Sequence, residues 1–476
     1  LIVSAALIVL LIAAWIAGPA AGSDPAQSDP TAQQATVEGA VQTLFAQTAA
    51  ASPDMTQTVA AAFAAAQTAT AAAPNIDTSA APVSVDTLEV ASVVELPLLA
   101  APLSTAAYLS PDGRRIAYMM GDVFCLLDID LVADQFPEQL TQDQALELLS
   151  GLPEGASCLS LENAGLRAEL ETVRWSPDGR YLVMNEDFFR FYVDSDIWVL
   201  DTNRMVLSNL TDDGEARLDI TAPANQAPPI DVVPRWLPDD RLVFLRYTGQ
   251  GDDFESPYVF TIQPDGSNLQ QIGQLQTPHP FAVSALAVSD QDQLAYNLWI
   301  NDSAYQNLSG VWISNLDGSE PEQVWHDAER PNQVPFALDW SPDAAYIALY
   351  TPATSFAAPF EPESSAWRAV RLSDKQTVLF SPDHFVRSVG WSPDGSTVVY
   401  TTQNTIDTSQ DGLYIAAAPG ALGRRLVQAG PEGERSLPLM STTPRQAQLI
   451  PWTADQVVMV GRGAQAGILI VQLAAP

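Results

Sequence analysis

Between residues 115 and 471 the apolar positions fall in short runs. Arg115-Ile-Ala-Tyr-Met119, Tyr181-Leu-Val-Met184, Leu242-Val-Phe-Leu245, Tyr346-Ile-Ala-Leu-Tyr350 and Thr397-Val-Val-Tyr400 are typical. They are rich in β-branched and aromatic residues and bounded by Gly, Pro, Asp or Ser, a pattern that predicts strands. A later run follows in most cases: Val123-Phe-Cys-Leu-Leu127, Ile197-Trp-Val-Leu200, Tyr258-Val-Phe-Thr261, Val311-Trp-Ile-Ser314 and Leu413-Tyr-Ile-Ala416. Leu207-Ser-Asn-Leu-Thr211 and Glu322-Gln-Val-Trp325 stand one run further on.

The turn before these runs has its own signature. It is clear at Leu109-Ser-Pro-Asp-Gly113, Trp175-Ser-Pro-Asp-Gly179, Trp340-Ser-Pro-Asp-Ala344 and Trp391-Ser-Pro-Asp-Gly395. It is worn at Trp236-Leu-Pro-Asp-Asp240, and more so at Val288-Ser-Asp-Gln-Asp292 and Trp452-Thr-Ala-Asp455. Aligned on the proline, the copies fall at 111, 177, 238, 290, 342, 393 and 454. Pro presets φ for the second position of a type I turn, and Ser before it and Gly at its end suit the same turn. Recurrence at this interval means a repeat architecture. Four short antiparallel strands per interval make one propeller blade, which cannot bury both faces alone. The aromatic before each turn is large enough to fill the wedge between neighbouring blades.

On these Trp-Ser-Pro-Asp-Gly copies, over roughly residues 93–476, the chain resembles the TolB-type, WD-repeat-like β-propeller family. The resemblance implies protein–protein interaction, scaffolding or occasionally catalysis, and by itself names no substrate. The expected fold is all-β: a seven-bladed β-propeller, with six or eight blades open because two copies lack the Pro, preceded by a transmembrane helix and an Ala/Thr-rich stalk. The last unit has only Gln456-Val-Val-Met459 and Gly467-Ile-Leu-Ile-Val471 as strands. Ser92-Val-Val-Glu-Leu-Pro-Leu-Leu99 is expected to supply the missing strand and close the ring, removing an exposed edge.

The expected division is 1–22 as transmembrane anchor or signal segment, 23–89 as Ala/Thr/Gln-rich linker or helical stalk, and 90–476 as propeller. Residues 1–17 are apolar throughout, the short limit for a spanning helix. Leu1, Leu10 and Trp15 mark the anchor, Trp15 at an interfacial position. In the stalk, two Ala-rich stretches around Phe45 and Phe63 carry a thin apolar stripe at helical spacing, each ended by a proline; a disordered linker is the alternative.

Net charge changes the picture. At −36, with a single lysine, Lys375, among twenty-one basic residues, the chain lacks the basic face that nucleic acid needs. No nucleic-acid partner is expected. Cys125 and Cys158 are a disulfide candidate outside the cell, stapling an insertion over 128–172; two buried free thiols are the alternative. Within that insertion, Thr141-Gln-Asp-Gln144 reads as a capping box before a short helix.

The search for chemistry yields little. There is no Gly-x-Ser-x-Gly elbow, no His-Glu-x-x-His and no phosphate-binding glycine loop. His279, His326 and His384 fall in different units, and Asp194-Ser-Asp196 and Gly251-Asp-Asp-Phe-Glu255 supply too few oxygens for calcium. No catalytic residue, cofactor or metal is expected. Phe356, Phe360 and Trp367 read as blade packing before a contact patch. Asn209, Asn301 and Asn307 each begin an N-glycosylation triplet. Residues just before the motif aromatic point toward the central channel: Tyr108, Arg174, Arg235, Ala287, Asp339, Gly390 and Pro451. Arg174, Arg235 and Asp339 are the charged members, and two arginines there are suited to an anion.

The expected function is that of a non-catalytic, membrane-anchored extracytoplasmic propeller at the cell surface or in the periplasm. It would act as an interaction scaffold or accessory subunit, with other proteins of a membrane or surface complex as partners and the membrane engaged through the N-terminal helix. The alternative is a lyase- or lactonase-like propeller enzyme, or a glycan or peptide receptor, with its site at the channel mouth.

Overall fold

A computed structural model describes residues 85, 88–97, 106–120, 123–128, 156–161, 173–185, 195–213, 229–248, 256–276, 283, 285–300, 303–330, 335, 337–351, 366–402, 408–428, 450, 452, 456–460 and 467–474. The chain divides into two compact units, Leu1–Ala73 and Pro74–Pro476, and every described residue belongs to the second. The anchor residues Leu1, Leu10 and Trp15 lie outside the described residues, as do the two stalk stretches and the capping-box helix. No helix among the described residues is long and apolar enough to cross a membrane.

The architecture is an all-β propeller with six complete four-stranded blades. Blade I comprises Ala106–Leu109, Arg115–Met120, Val123–Asp128 and Ala156–Ser160, and blade II Arg174–Trp175, Tyr181–Asn185, Ile197–Asp201 and Val206–Asn209. Blade III comprises Ile230–Trp236, Leu242–Tyr247, Tyr258–Ile262 and Gln270–Gln274, and blade IV Leu286–Val288, Gln293–Leu298, Gly310–Asn315 and Glu322–Trp325. Blade V comprises Ala337–Trp340, Tyr346–Thr351, Ala366–Arg371 and Gln376–Leu379, and blade VI Val386–Trp391, Val398–Thr402, Gly412–Ala416 and Arg424–Gln428. A smaller closing sheet joins the two ends of the ring, in the order Glu89–Pro97, Gly467–Ala474, Gln456–Val460.

The expected seven blades are therefore six complete ones and a three-stranded sheet. Trp452 adds only an isolated bridge to Val457, where the other blades have an innermost strand. The expected strand exchange is present: Val93 faces Val471 and Leu96 faces Ile468 in an antiparallel pair. Blade VI touches this sheet on one side and blade I on the other, so the ring is closed. Two boundaries differ from expectation. The propeller starts before residue 90, because Leu88 is buried in the wedge beside Val457 and Val471, and Arg424 donates to the carbonyls of Val85 and Leu88. The span 128–172 is not wholly an insertion, since Ala156–Ser160 inside it is the outer strand of blade I.

Burial explains the strand composition. The second strands are buried along nearly their whole length, as in Val398–Thr402, because a neighbouring blade covers each face. The outermost strands are polar and largely exposed, as in Gln376–Leu379. The core is accordingly a set of inter-blade wedges. Trp175 packs between blades I and II, Trp236 between II and III, Trp340 between IV and V, Trp391 between V and VI, and Trp452 between VI and the closing sheet. The wedge between blades III and IV has Val288 at that position and fills with Tyr296, Trp312 and a large aliphatic set.

The motif turns follow one plan. Gly179 N–H donates to Ser176 O (2.9 Å) and Ser176 N–H to Tyr181 O (2.8 Å), closing the hairpin. The buried Ser176 hydroxyl donates to Asp178 Oδ1 (2.6 Å) and accepts from Tyr181 N–H (2.8 Å). The same four bonds recur at Ser110, Ser341 and Ser392. The fourth turn position is left-handed in every described copy: Gly113, Gly179 and Gly395 at φ 72, 69 and 73°, and Asp240, Asp292 and Ala344 at 62, 57 and 54°.

Candidate functional site

Arg174, Arg235, Asp339 and Gly390 each sit on the innermost strand of their blade, next to a tryptophan packed into the wedge, and Tyr108 and Ala287 hold the same position beside Leu109 and Val288. Pro451 lies outside the described residues. Trp175 Nε1 donates to Tyr108 O of blade I (2.8 Å), and Trp236 Nε1 donates to Arg174 O of blade II (2.9 Å). One blade's aromatic thus grips the pre-aromatic carbonyl of the blade before it. Arg174 and Arg235 are set side by side by this rule. Their guanidiniums are fixed alike: Nη1 donates to the preceding carbonyl, Val173 O or Pro234 O, at 2.8 Å in both.

Arg174, Arg235 and Asp339 lie within electrostatic reach of one another. Each is half-buried. Burial, together with the neighbouring Arg174 charge, pulls the Arg235 guanidinium down to about 9, while Asp339 opposes the shift. Burial pushes the Asp339 carboxyl up to about 7 against the pull of both arginines. Among the described residues no carboxylate comes within 4.0 Å of either arginine.

Asp339 also lines a cavity of about 330 Å³. Its wall is built by the motif positions of blades IV to VI and the closing sheet: Ser289 and Asp290, Trp340 and Pro342, Trp391, and Trp452. Gly390 contributes no side chain, and a Cβ there would stand 2.3 Å from Ile450 O. On this arc the indole grip is missing. The buried Nε1 groups of Trp340, Trp391 and Trp452 have no hydrogen-bond partner, unlike those of Trp175 and Trp236. Sequence spacing found Asp339 and Gly390 but not the cavity between them.

Other candidates fall elsewhere. Cys125 and Cys158 are direct partners on adjacent strands of blade I and are disulfide-bonded. They tie the blade's two outer strands together. Trp367 is 1% exposed in blade V and donates to Arg387 O (3.0 Å), while Phe356 and Phe360 lie outside the described residues. His326 Nδ1 lies 2.9 Å from Ser309 O, and the His384 ring packs 4.8 Å from that of Tyr414; His279 lies outside the described residues. Asp196, part of an acidic cluster too short for calcium, is buried and accepts from Asn209 Nδ2 (2.6 Å) and Thr211 Oγ1 (3.2 Å). That bond also engages the Asn209 amide, one of the three glycosylation candidates. Among the described residues no group of three His, Cys, Asp or Glu side chains is arranged to hold a metal.

The sequence matches no protein-family model and no curated protein. Solved structures of similar fold include an oligogalacturonate lyase in complex with manganese, at 14% identity and TM-score 0.47, covering 83% of this chain and 97% of that one. TolB from Acinetobacter baumannii is similar at 11% identity and TM-score 0.35, covering 73% of this chain and 66% of that one. The Myceliophteria thermophila Cps50 (Swd1) β-propeller domain is similar at 12% identity and TM-score 0.41, covering 80% and 99%. At these identities and scores the likeness carries nothing about ligand or activity.

Proposed function

We propose that this chain is a non-catalytic binding propeller, held outside the cytoplasm by its N-terminal segment and serving as scaffold or accessory subunit of a membrane or surface assembly. The observation that carries the reading is the closed ring, in which the two chain ends share one sheet. A ring closed on itself keeps its turn face rigid, and rigid presentation of loops is what a binding surface requires. The Cys125–Cys158 disulfide supports an oxidising compartment. We read the three-stranded closing sheet as a seventh blade in reduced form, since Trp452 fills its wedge as the other motif aromatics do.

The test is native. Full-length protein is cross-linked in intact cells, labelled with a membrane-impermeant reagent, and purified for mass spectrometry. The expected result is labelling from outside and one partner in fixed ratio. Labelling only after lysis would sink the location, and the absence of any fixed partner would sink the scaffold role.

One observation favours the enzyme alternative. A carboxyl held near neutrality beside two guanidiniums, as Asp339 is, has the character of a general base next to an anion site. Retention of a stoichiometric metal by the purified protein would favour that reading over the scaffold.

A further inference from the structure

We propose that Arg174 and Arg235 form a carboxylate-binding clip on the propeller axis, with the tryptophan-walled cavity beside Asp339 receiving the apolar body of the same ligand. The clip is a repeated construction. The two arginines hold the same motif position in consecutive blades, the Arg174 carbonyl accepts from the indole of Trp236 next to Arg235, and each guanidinium spends one Nη1 on its own preceding carbonyl. A guanidinium has five N–H donors in a planar fork, so both keep donors for an oxyanion.

The arrangement is unusual for this chain. Arg180, Arg241, Arg246 and Arg330 each pair with an aspartate, at 2.6 to 3.0 Å. In a protein of net charge −36, the two axial arginines are instead held beside each other, with no described carboxylate within 4.0 Å. Burial chiefly, and the like charge of Arg174 besides, lower the affinity of Arg235 for its proton. An anion seated between them removes the repulsion.

The chemistry of the anion follows from the surroundings. Two guanidiniums opposed by at most one charge, that of Asp339, leave the site net positive, which suits a monoanion. Asp290 at the cavity wall disfavours a dianion further. Two oxygens in a plane match the two forks, so a carboxylate fits better than a doubly charged phosphate. The cavity, about 330 Å³ and faced by Trp340, Trp391 and Trp452, is at the small end of ligand pockets and takes one apolar group. A small organic acid and the free carboxyl terminus of a peptide share this chemistry. The site stands whether the propeller is a scaffold or an enzyme.

The test is calorimetric titration of the full chain with four probes: N-acetyl-leucine, N-acetyl-leucinamide, inorganic phosphate, and an N-acetylated tetrapeptide ending in a free leucine carboxylate. N-acetyl-leucine or the tetrapeptide is expected to saturate one site, and the amide and phosphate are not. A tetrapeptide that binds at least tenfold tighter than N-acetyl-leucine identifies a protein terminus as the source; the reverse identifies a small acid. Arg174→Gln and Arg235→Gln are each expected to raise Kd at least tenfold, whereas Arg241→Gln, on an exposed turn, leaves it unchanged. Arg235→Lys keeps the charge and the fold but loses the fork, and is expected to weaken binding as well. Asp339→Asn removes the competing carboxylate and is expected to tighten it severalfold. Equal binding of acid and amide, a preference for phosphate, no binding of any probe, or indifference to Arg235→Lys and Arg235→Gln would overturn the proposal.

Discussion

The left-handed turn position offers a comparison with its own internal control. Gly179 and Gly395 occupy the same place in two copies of the motif, at φ 69 and 73°. An L-residue in that region costs about 1–2 kcal/mol. Replacing Gly by Ala returns about 0.4–1 kcal/mol by restricting the unfolded chain. For Gly179→Ala nothing else enters, because a Cβ there meets no atom nearer than 3.7 Å. The net loss is expected to be about 0.5–1 kcal/mol. At Gly395 the new Cβ would stand 2.7 Å from Asp343 N and 2.9 Å from Asp343 Cγ, in the turn of the blade before. Backbone must then move, and overpacking of this kind adds about 1–3 kcal/mol. Gly395→Ala is therefore expected to lose about 2–4 kcal/mol in total. Ala344 already bears a methyl at φ 54°, so Ala344→Gly is expected to gain about 0.5 kcal/mol after losing part of its packing. Urea unfolding followed by tryptophan fluorescence reads all three, since the wedge indoles report blade separation. Equal losses for the two glycine variants, or a clear loss for Ala344→Gly, would refute the reasoning.

Reducing the Cys125–Cys158 bond, or the double change to Ser, opens a link spanning 33 residues and is expected to cost about 3–4 kcal/mol, seen as a lower melting temperature. Arg246→Leu strands Asp231, which is 1% exposed and now bonded bidentately at 2.6 Å to each oxygen; a loss of about 3–5 kcal/mol is expected, with partial recovery in Arg246→Leu/Asp231→Asn. Asp339 gives a pH signature. Its folded value of about 7 lies above the ordinary aspartate range, so the native state holds the proton more tightly and this contribution to stability falls as pH rises from about 4 to 7. Melting temperatures of wild type and Asp339→Asn between pH 5 and 8 should diverge, the wild type losing ground at the upper end. A constant difference would contradict the burial assigned to Asp339.

Much of this was legible because the motif is a local device. Ser, Pro, Asp and Gly each have a turn-level role, so Ser176 or Ser392 can be placed from sequence before any tertiary contact is known. The same alignment put Arg174, Arg235 and Asp339 at one position on their innermost strands, where they come within electrostatic reach of one another. What escaped depends on distant partners. The strand Ala156–Ser160 lies beyond a long polar stretch, and its identity rests on pairing with Val123–Asp128. Asp196 reads as a turn carboxylate until Asn209 and Thr211 close over it. The motif itself is blind to the cavity, since Trp175 and Trp391 look alike in sequence.

That last difference bears on how a uniform repeat acquires a site. Between blades I, II and III the motif indoles of Trp175 and Trp236 each bind the carbonyl before them, and the pre-aromatic side chains are long and charged or aromatic. Around blades V, VI and the closing sheet the motif indoles of Trp340, Trp391 and Trp452 lack that bond, and the next pre-aromatic residue, Gly390, has no side chain at all. Two changes thus coincide on one arc: a lost inter-blade bond and a lost side chain. Each unmade indole bond costs about 1–3 kcal/mol in a buried setting. A ring stabilised by wedge packing tolerates that cost, because the hydrophobic contacts of Trp340, Trp391 and Trp452 persist without the hydrogen bond. The basic arc supplies charge and the loosened arc supplies room. Restoring a side chain at Gly390 is barred by Ile450 O, so the room is protected by backbone contact rather than by the side chains that line it.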